Sequence, residues 1–386
     1  MLKWSPRAIA SLLLLLPVAC AGAQAAEVNG RANGQKSRTE ETARANAPSG
    51  RPKAEAVPKA KARGPARRAE AATPGAAPKA SKPKEDPNAC PAGMKLVEGD
   101  YCSEVEHECV RSWFDKSNKK TICEKFREGS AKCVGTSSKK RFCIDTYAWP
   151  NKVGERPEVM NRFHQAEVKC AAVGKRMCTE SEWTFACEGQ EMKPFPYGYE
   201  RDTKKCHGDM PWDSPKMPKV AQRDEQELSR LWKGVRNGSQ PQCVSDFGVY
   251  DLPGNTDDVV SSETYSDDFR GKFDSVHTGG PWYKGVRNQC RPKIYTHNED
   301  FYYYFLGFRC CAEADAAPTD PRTPKQIKEG WDFKRVEKSA GFTREQYQAL
   351  LKLKEEHPDC LCKPKDKKCR TLCGTLLGPD AKDFKP

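Results

Sequence analysis

The sequence predicts an α+β fold that is rich in loops and disulfides, between a disordered N-terminal linker and a short helical C-terminal extension. The chain has 19 cysteines among its 386 residues, which is typical of a disulfide-stapled exported protein. Spacing and capping signals predict short helices at 163–173 and 179–187. The aromatic run 301–305 is typical of a core strand, whereas residues 26–89 have too few large apolar side chains to form a core.

The N-terminus has the layout of a secretory signal peptide over residues 1–25. Lys3 and Arg7 precede an apolar run that is too short to span a bilayer. Two kinds of processing stay open: the Ala-Gln-Ala sequence at 23–25 suits ordinary cleavage, and cleavage before Cys20 suits a lipidated bacterial lipoprotein. We therefore expect an exported bacterial protein that is periplasmic, secreted or an outer-membrane lipoprotein.

The linker, residues 26–89, is dominated by Ala, Pro, Lys and Arg. Between Glu27 and Asn88 it has 14 Lys plus Arg against 7 Asp plus Glu, a net charge of +7 out of the chain's formal +13. Without aromatic residues it cannot bury enough surface to offset the entropy of ordering. A solvated tether is one interpretation, and contact with a cell-surface polyanion or anionic lipid headgroups is the other. No specific nucleic-acid partner is expected outside the cytoplasm.

The cysteine count suits disulfide pairing, because 18 cysteines remain once Cys20 is set aside. Six of them lie in a Cys-rich lead-in, residues 90–143, whose pairing stays open; a small independent module from Cys102 to Cys133 is the alternative there. Four more lie in the C-terminal tail, where two disulfides are favoured over a zinc site because the spacing matches no common zinc finger. These cysteines are Cys90, Cys102, Cys109, Cys123, Cys133 and Cys143 in the lead-in, and Cys360, Cys362, Cys369 and Cys373 in the tail.

Two helices are predicted around the segment 174–189. The first ends at Gly174, since a helix C-terminus favours a residue without a side chain. The second begins after Thr179, which forms a capping box with Glu182 three residues later. The apolar residues at helical spacing in the first helix are Phe163, Ala166, Cys170 and Val173.

Five sequence blocks, taken in order, resemble the formylglycine-generating or sulfatase-modifying-factor family. The most informative is GKRMCTESEWTFACEG at 174–189, which is similar to the family signature. The resemblance spans residues 90–315 and implies the sulfatase-modifying-factor fold, a loop-rich variant of the C-type lectin architecture. The other four blocks are FCIDTYAWPN at 142–151, GVYDLPGN at 248–255, GGPW at 279–282 and LGFRCC at 306–311.

The oxidase chemistry of that family needs residues that this chain lacks. In active members, two cysteines just after the late Gly-Gly turn bind copper(I), which selects soft thiolates, and convert a sulfatase cysteine to formylglycine. Here no cysteine follows Gly279 and Gly280 until Cys290, and none lies between Cys243 and Cys290. Copper is therefore not expected as a cofactor, and no catalytic residue is assigned.

The resemblance also implies two structural disulfides, Cys170 to Cys310 and Cys187 to Cys290. In the chain-entropy model the first would stabilise the fold by about 4 to 5 kcal/mol. Four further cysteines depart from the common family pattern, and additional disulfides are favoured for them over a new metal site. They are Cys178, Cys206, Cys243 and Cys311.

One calcium site of the family corresponds to a turn that is altered in this chain. The site would use the side chain of Asp251, backbone oxygens of Gly254 and Thr256, and the carboxylate of Asp258. Calcium prefers such a set of carboxylate and carbonyl oxygens. The family's Trp-Glu-Trp run is replaced here by DDVV at 257–260, so an acidic turn that binds nothing is the equal alternative.

A polar cluster lies where the resemblance implies the approach to a substrate cleft. His297, Glu299 and Asp300 precede the aromatic run, and Trp282 follows the Gly-Gly turn. These four residues form a candidate cleft for a ligand or peptide. A loop that leads into a core strand is the alternative, and one histidine beside two acids is not a catalytic constellation.

The extension, residues 316–386, is predicted to contain one helix followed by the four-cysteine tail. A hydrophobic staple and a capping box around Thr343 and Gln346 predict a helix over Arg344–Glu356. One face of this helix is apolar and is expected to dock on the main domain, with partner binding as the alternative. That face comprises Tyr347, Leu350, Leu351 and Lys354.

The sequence thus indicates an exported, catalytically inactive family member that acts as an envelope or secreted binding and scaffolding module. Its expected partner is an envelope or secreted protein or peptide, and membrane contact is expected only through a lipid anchor at Cys20. One fold can host both enzymes and non-enzymes, so two rivals stay open. The first is a formylglycine-generating oxidase or related oxidoreductase, and the second is a polyanion or cell-wall binder that works through the linker.

Overall fold

A computed structural model describes residues 89–116, 119–264, 270–283 and 287–356. The signal peptide, the linker up to residue 88, Cys20 and the four-cysteine tail lie outside these ranges, so the expectations for them stay predictions. Within the described ranges, no helix combines the length and apolar character that crossing a membrane requires.

The described chain alternates short strands and short helices, joined by long loops. The strands in chain order are β1 (Met94–Cys102), β2 (Val105–Glu106), β3 (Cys109–Asp115), β4 (Lys120–Phe126), β5 (Lys132–Cys133), β6 (Ser137–Asp145), β7 (Arg176–Met177), β8 (Asp257–Ser261), β9 (Ser275–Thr278), β10 (Lys293–Ile294), β11 (Leu306–Phe308) and β12 (Cys310–Glu313). The helices are α1 (Phe163–Ala172), α2 (Glu180–Glu188), α3 (Met217–Ala221), α4 (Glu225–Leu231), α5 (Pro324–Lys328), α6 (Phe333–Ala340) and α7 (Arg344–Glu356).

Two four-stranded sheets organise the domain. The first has the order β1, β6, β12, β7, and its β1 and β6 pair antiparallel from Met94 opposite Asp145 to Cys102 opposite Ser137. The second has the order β10, β9, β8, β11, in which β8 pairs antiparallel with β9 and parallel with β11. Two hairpin-like pairs, β2 with β5 and β3 with β4, complete the pairing. The architecture is therefore α+β, as predicted.

Helix α2 lies between the two sheets. Its Trp183 and Phe185 pack with Phe142 of the first sheet and with Val260 and Val276 of the second. A second core cluster surrounds α1, because one side of that helix packs on the sheet residue Phe308. The capping box predicted for α2 is present, with Thr179 as N-cap and Glu182 as its partner.

Seven disulfides tie the described residues together. Two of them, Cys170–Cys310 and Cys187–Cys290, are the pairs that the resemblance implies. Cys178–Cys311 and Cys206–Cys243 account for the four cysteines that depart from the family pattern. The lead-in pairs are Cys90–Cys143, Cys102–Cys133 and Cys109–Cys123.

The lead-in is attached to the main domain at both ends. Its β1 and β6 belong to the first four-stranded sheet, and Glu200 of the later chain forms salt bridges with Arg111 of β3 and Lys125 of β4. A separate module between Cys102 and Cys133 is therefore not what the structure shows.

The C-terminal extension docks on α1. Helix α7 spans the predicted Arg344–Glu356, and its Tyr347 and Leu350 are buried in the same cluster as Phe163 of α1. The sequence predicted only this helix, but α5 and α6 precede it. Both had local signals that went unused: α5 begins with a capping box, and α6 has apolar residues at helical spacing that are buried on one face, namely Phe333, Val336 and Ala340.

Candidate functional site

The Gly279–Gly280 turn is fixed against β8 by a buried ion pair. Both glycines have positive φ values, +88° and +66°, which glycine adopts most readily, and a Cβ on Gly279 would lie 2.9 Å from Trp183. The backbone N of Gly280 donates to Oδ1 of Asp257 at 3.2 Å, and Nη1 of Arg287 donates to the same oxygen at 2.7 Å. The carboxylate of Asp257 and the guanidinium of Arg287 therefore pair next to this turn. In active family members, the copper-binding cysteines follow the corresponding turn.

A stack of rings lies near this ion pair. The ring centroids of His277 and His297 are 5.0 Å apart, and those of His297 and Phe301 are 3.9 Å apart. Burial, reinforced by the nearby His297 and Arg287, lowers the pKa of His277 well below its usual value. Burial also lowers the pKa of His297. Both imidazoles are therefore neutral at pH 7, and Nε2 of His277 is buried without a hydrogen-bond partner among the described residues.

Trp282 belongs to an aromatic core rather than to an open cleft. It is only 2% exposed, and its ring centroid lies 4.6 Å from that of Trp232 in an edge-to-face contact. Tyr304 and Phe305 contact the same ring. Its indole is therefore a packing element beneath the surface, and the cleft predicted around it is not formed by this residue.

The other predicted cleft residues face different partners. His297 joins the ring stack, whereas the side chain of Glu299 accepts a hydrogen bond from the backbone N of Asp274. Asp300 forms an ion pair with Arg162 at 3.4 Å. The carboxylates of Glu299 and Asp300 thus stabilise the loop that carries them.

A basic side chain, Arg309, contacts one of the predicted calcium ligands. Nε of Arg309 donates to Oδ2 of Asp258 at 2.9 Å, and Nε1 of Trp183 donates to the same oxygen at 2.9 Å. Oδ2 of Asp251 accepts from the backbone N of Gly238 at 2.9 Å. Burial raises the pKa of Asp251 to about 6.

These contacts fit calcium poorly, because a buried guanidinium already neutralises one of the two carboxylates that the metal would need. Each member of this ion pair keeps one buried atom without a hydrogen-bond partner among the described residues, Oδ1 of Asp258 and Nη2 of Arg309. In the same ranges, no group of three or more His, Cys, Asp or Glu side chains is arranged to hold a metal ion. The turn is better described as one end of a buried ion pair.

An aromatic and basic surface lies beside the run 301–305, and we call it the Arg223 surface; it comprises Arg223, Tyr302, Tyr303 and Met217. The guanidinium of Arg223 lies over the ring of Tyr302, 5.4 Å from its centroid. The hydroxyl of Tyr303 is 3.5 Å from Sδ of Met217, and Met217 is 51% exposed. The Met160 backbone links the two halves, since its N donates to Tyr303 O and its O accepts from Arg223.

Sequence reasoning missed His277, Asp257, Arg287 and Arg223. The first three come together because β8 and β9 are neighbours and the segment after the glycine turn folds back over them. Only the pairing of distant strands produces that proximity. A signal did exist for Asp257, which is one of two adjacent carboxylates that precede Val259 and Val260 in the same short strand.

A comparison with protein-family models agrees with the resemblance. The family model of the sulfatase-modifying factor enzyme 1-like domain matches residues 124–314. The solved structure of CarF has 11% sequence identity and a TM-score of 0.37, covering 58% of this chain and 99% of its own. PvdO from Pseudomonas aeruginosa has 16% identity and a TM-score of 0.34, covering 57% of this chain and 94% of its own.

At these identities and TM-scores the two structures carry no information about activity, and no curated protein sequence matches the chain. The family model and the ordered sequence blocks together are specific. Residues 124–314 therefore belong to the sulfatase-modifying-factor family, in a divergent member without a cysteine pair after its Gly279–Gly280 turn.

Proposed function

We propose that this chain is an exported, catalytically inactive member of its family that works as a binding and scaffolding module. The observation that carries the proposal is the state of its thiols. All fourteen cysteines within the described ranges are joined in disulfides. A copper-dependent oxidase of this family needs free thiolates, and a disulfide sulfur does not replace them.

The residues behind the glycine turn support the same proposal. Asp257 and Arg287 form a buried ion pair there, and neither side chain is a soft ligand for copper(I). Gly280 is held to Asp257 by its backbone, so the turn is fixed by interactions that do not involve a cofactor. Such a rigid, cross-linked frame suits the presentation of a surface to a partner.

Export is supported by the disulfides as well. Seven bridges in one domain are typical of proteins that fold in an oxidising compartment, and the signal-peptide layout of residues 1–25 agrees with it. Mass spectrometry of the mature N-terminus would distinguish the two processing routes. A diacylglyceryl group on the residue at position 20 indicates a lipoprotein, whereas an unmodified start after residue 25 indicates a soluble secreted or periplasmic protein.

Alkylation under denaturing, non-reducing conditions tests the inactive state. We expect no alkylated cysteine in peptides from residues 89–356, and complete alkylation of the same peptides after reduction. A Ser239→Cys variant provides the positive control, because Ser239 is exposed and the new thiol should be labelled once. The same preparations are then assayed for copper-dependent oxygen uptake with a cysteine peptide of sulfatase type.

A labelled pair of native cysteines, together with copper-dependent oxygen uptake on that peptide, would overturn the proposal in favour of the oxidase. A mock purification is the background control. Oxygen uptake that persists without peptide and copper, and that the mock purification also shows, comes from a contaminant.

A further inference from the structure

We propose that the Arg223 surface is a docking site for an acidic peptide segment of a partner protein. The inference rests on the proposed binding role and names the chemistry of the partner. It starts from the guanidinium of Arg223, which is partly buried and has no carboxylate within ion-pair distance among the described residues. Its recorded polar contact is a bond from Nη2 to the backbone O of Met160 at 2.7 Å.

Five other deeply placed arginines differ in this respect. Each of these five contacts at least one carboxylate, and burying a guanidinium without such a partner is costly. Burial accordingly lowers the pKa of Arg223 from its usual value, in contrast to the raised pKa of Arg176 and Arg287. The six ion pairs of these five arginines are Arg176 with Glu182 and Glu313, Arg201 with Asp209, Arg287 with Asp257, Arg291 with Glu188, and Arg309 with Asp258.

The fold holds Arg223 in this position by a strained backbone. Its φ is +54°, a value that a residue with a side chain adopts at a cost. Backbone hydrogen bonds from Arg223 N to Val220 O and from Asp224 N to Lys219 O fix the turn that follows α3. The guanidinium is thereby kept over the Tyr302 ring instead of extending freely into solvent.

The charges around the site leave the surface positive. Lys219 pairs with Asp224 at 3.5 Å, and Arg162 pairs with Asp300 at 3.4 Å. Glu158, whose charge also acts on Arg223, pairs with Lys169. These three carboxylates therefore each have a basic partner already, and the charge of Arg223 is left over. A partner that brings a carboxylate to Arg223 would supply the missing negative charge, and the planar fork of arginine suits a bidentate carboxylate.

Apolar contacts next to that charge favour a peptide as the carrier of the carboxylate. Met217 is 51% exposed, and Tyr302 and Tyr303 are partly exposed beside it. Aromatic rings, methionine and arginine are the side chains that protein interfaces favour. The site offers one desolvated cation and an apolar flank, whereas a polyanionic chain would need a row of solvated cations. An acidic residue followed by an apolar or aromatic residue fits both parts.

Fluorescence polarisation with two labelled peptides tests the proposal. The probe peptide is Ser-Asp-Phe-Glu-Phe-Ser, and its neutral analogue is Ser-Asn-Phe-Gln-Phe-Ser. We expect wild-type protein to bind the acidic peptide at least tenfold more tightly, by a margin that shrinks as salt is added. Arg223→Gln should remove that preference, and Arg223→Lys should retain part of it because the charge remains.

Arg230→Gln is the matched control, since Arg230 lies nearby in the chain but is already paired with Glu227 at 2.6 Å, and it should bind like wild type. Melting temperature and disulfide content establish that each variant is folded. Equal binding of the two peptides to folded wild type would overturn the proposal, as would full retention of the preference in Arg223→Gln. If a sulfated oligosaccharide binds and neither peptide does, the proposal of an acidic peptide is overturned and the ligand of this surface is a polyanion. None of these outcomes depends on the thiol assay, so failure of the docking site and failure of the inactive state are distinguishable.

Discussion

Arg309 and Asp258 form a buried ion pair across the two sheets' junction, with Nε and Oδ2 2.9 Å apart and neither side chain more than 2% exposed. Removing the carboxylate would leave the buried guanidinium without its direct ion-pair partner. We expect Asp258→Ala to lower the free energy of unfolding by about 3 to 5 kcal/mol, measured by urea titration of tryptophan fluorescence with disulfides intact. Asp100→Ala removes an exposed partner of Lys139 and should change stability little. Equal effects of the two substitutions would contradict a structural role for this pair.

Calcium is expected to leave the protein unchanged. Because Arg309 already neutralises Asp258, millimolar CaCl2 or EDTA should not shift the melting temperature of the purified domain. A calcium-binding protein would show a rise that saturates with calcium and disappears with EDTA. If such a rise occurs and Asp251→Asn abolishes it, the calcium site of the family is retained after all.

Asp251 should make stability depend on pH. Its pKa is raised by burial to about 6, so the native state holds the proton more tightly than the unfolded chain does. The contribution of this proton to the free energy of unfolding is therefore fully present below about pH 4 and is lost as the pH rises through about 6. Asp251→Asn keeps an oxygen that can accept from Gly238 and removes this decline. We expect the free energy of unfolding of the variant, relative to that of wild type, to rise by about 2 to 3 kcal/mol between pH 4 and pH 7 in urea titrations. A difference that stays constant across that range would show that Asp251 is not the titrating group.

His277 should act in the opposite direction. Burial lowers its pKa, so the unfolded chain takes up the proton first as pH falls below about 6.5. Its contribution is present above that pH and is lost below it, at about 1.4 kcal/mol per pH unit until the native pKa is reached. His277→Phe preserves a ring beside His297 and should show a shallower acid dependence. NMR titration of the wild type checks the cause, since a His277 pKa of 6.5 or above would exclude it.

Tyr347 should link the extension to the stability of the whole domain. Its side chain is 1% exposed and lies against Phe342 and Trp149, with Lys169 over its ring. We expect Tyr347→Ala to cost about 3 kcal/mol, because it opens a cavity between α7 and α1. Lys352→Ala, at an exposed position of the same helix, is the control for helix content. A single unfolding transition that shifts as a unit would show that extension and domain unfold together.

Local sequence patterns predicted the parts of the fold that depend on local chemistry. Thr179 and Glu182 identified the start of α2, and Thr343 and Gln346 identified the start of α7, because capping uses residues three positions apart. The pairs Cys170–Cys310 and Cys187–Cys290 came from the family resemblance, since spacing alone cannot select among many possible pairings.

The site was harder to predict, because its residues meet only through strand pairing. Trp282 was placed in a cleft by its position after the glycine turn, yet its large apolar ring is more stable in the core with Trp232. Arg309 pairs with Asp258, one of the carboxylates that the resemblance assigned to a calcium ion, and no local pattern shows which carboxylate an arginine between β11 and β12 will contact. Arg223 is recognised only in the structure, where no carboxylate among the described residues pairs with it.

The pairs Cys170–Cys310 and Cys178–Cys311 both end on β12, the strand that lies between β6 and β7. Two adjacent residues of this strand are thus cross-linked to cysteines that precede them in the chain by 140 and 133 positions. The chain cannot complete its first sheet, or either of these cross-links, before Cys310 and Cys311 have been made and have met an oxidant. Oxidative folding is consequently a late step in the life of this chain, and Cys170 and Cys178 remain as thiols or form other disulfides until two neighbouring residues near the end of the domain become available.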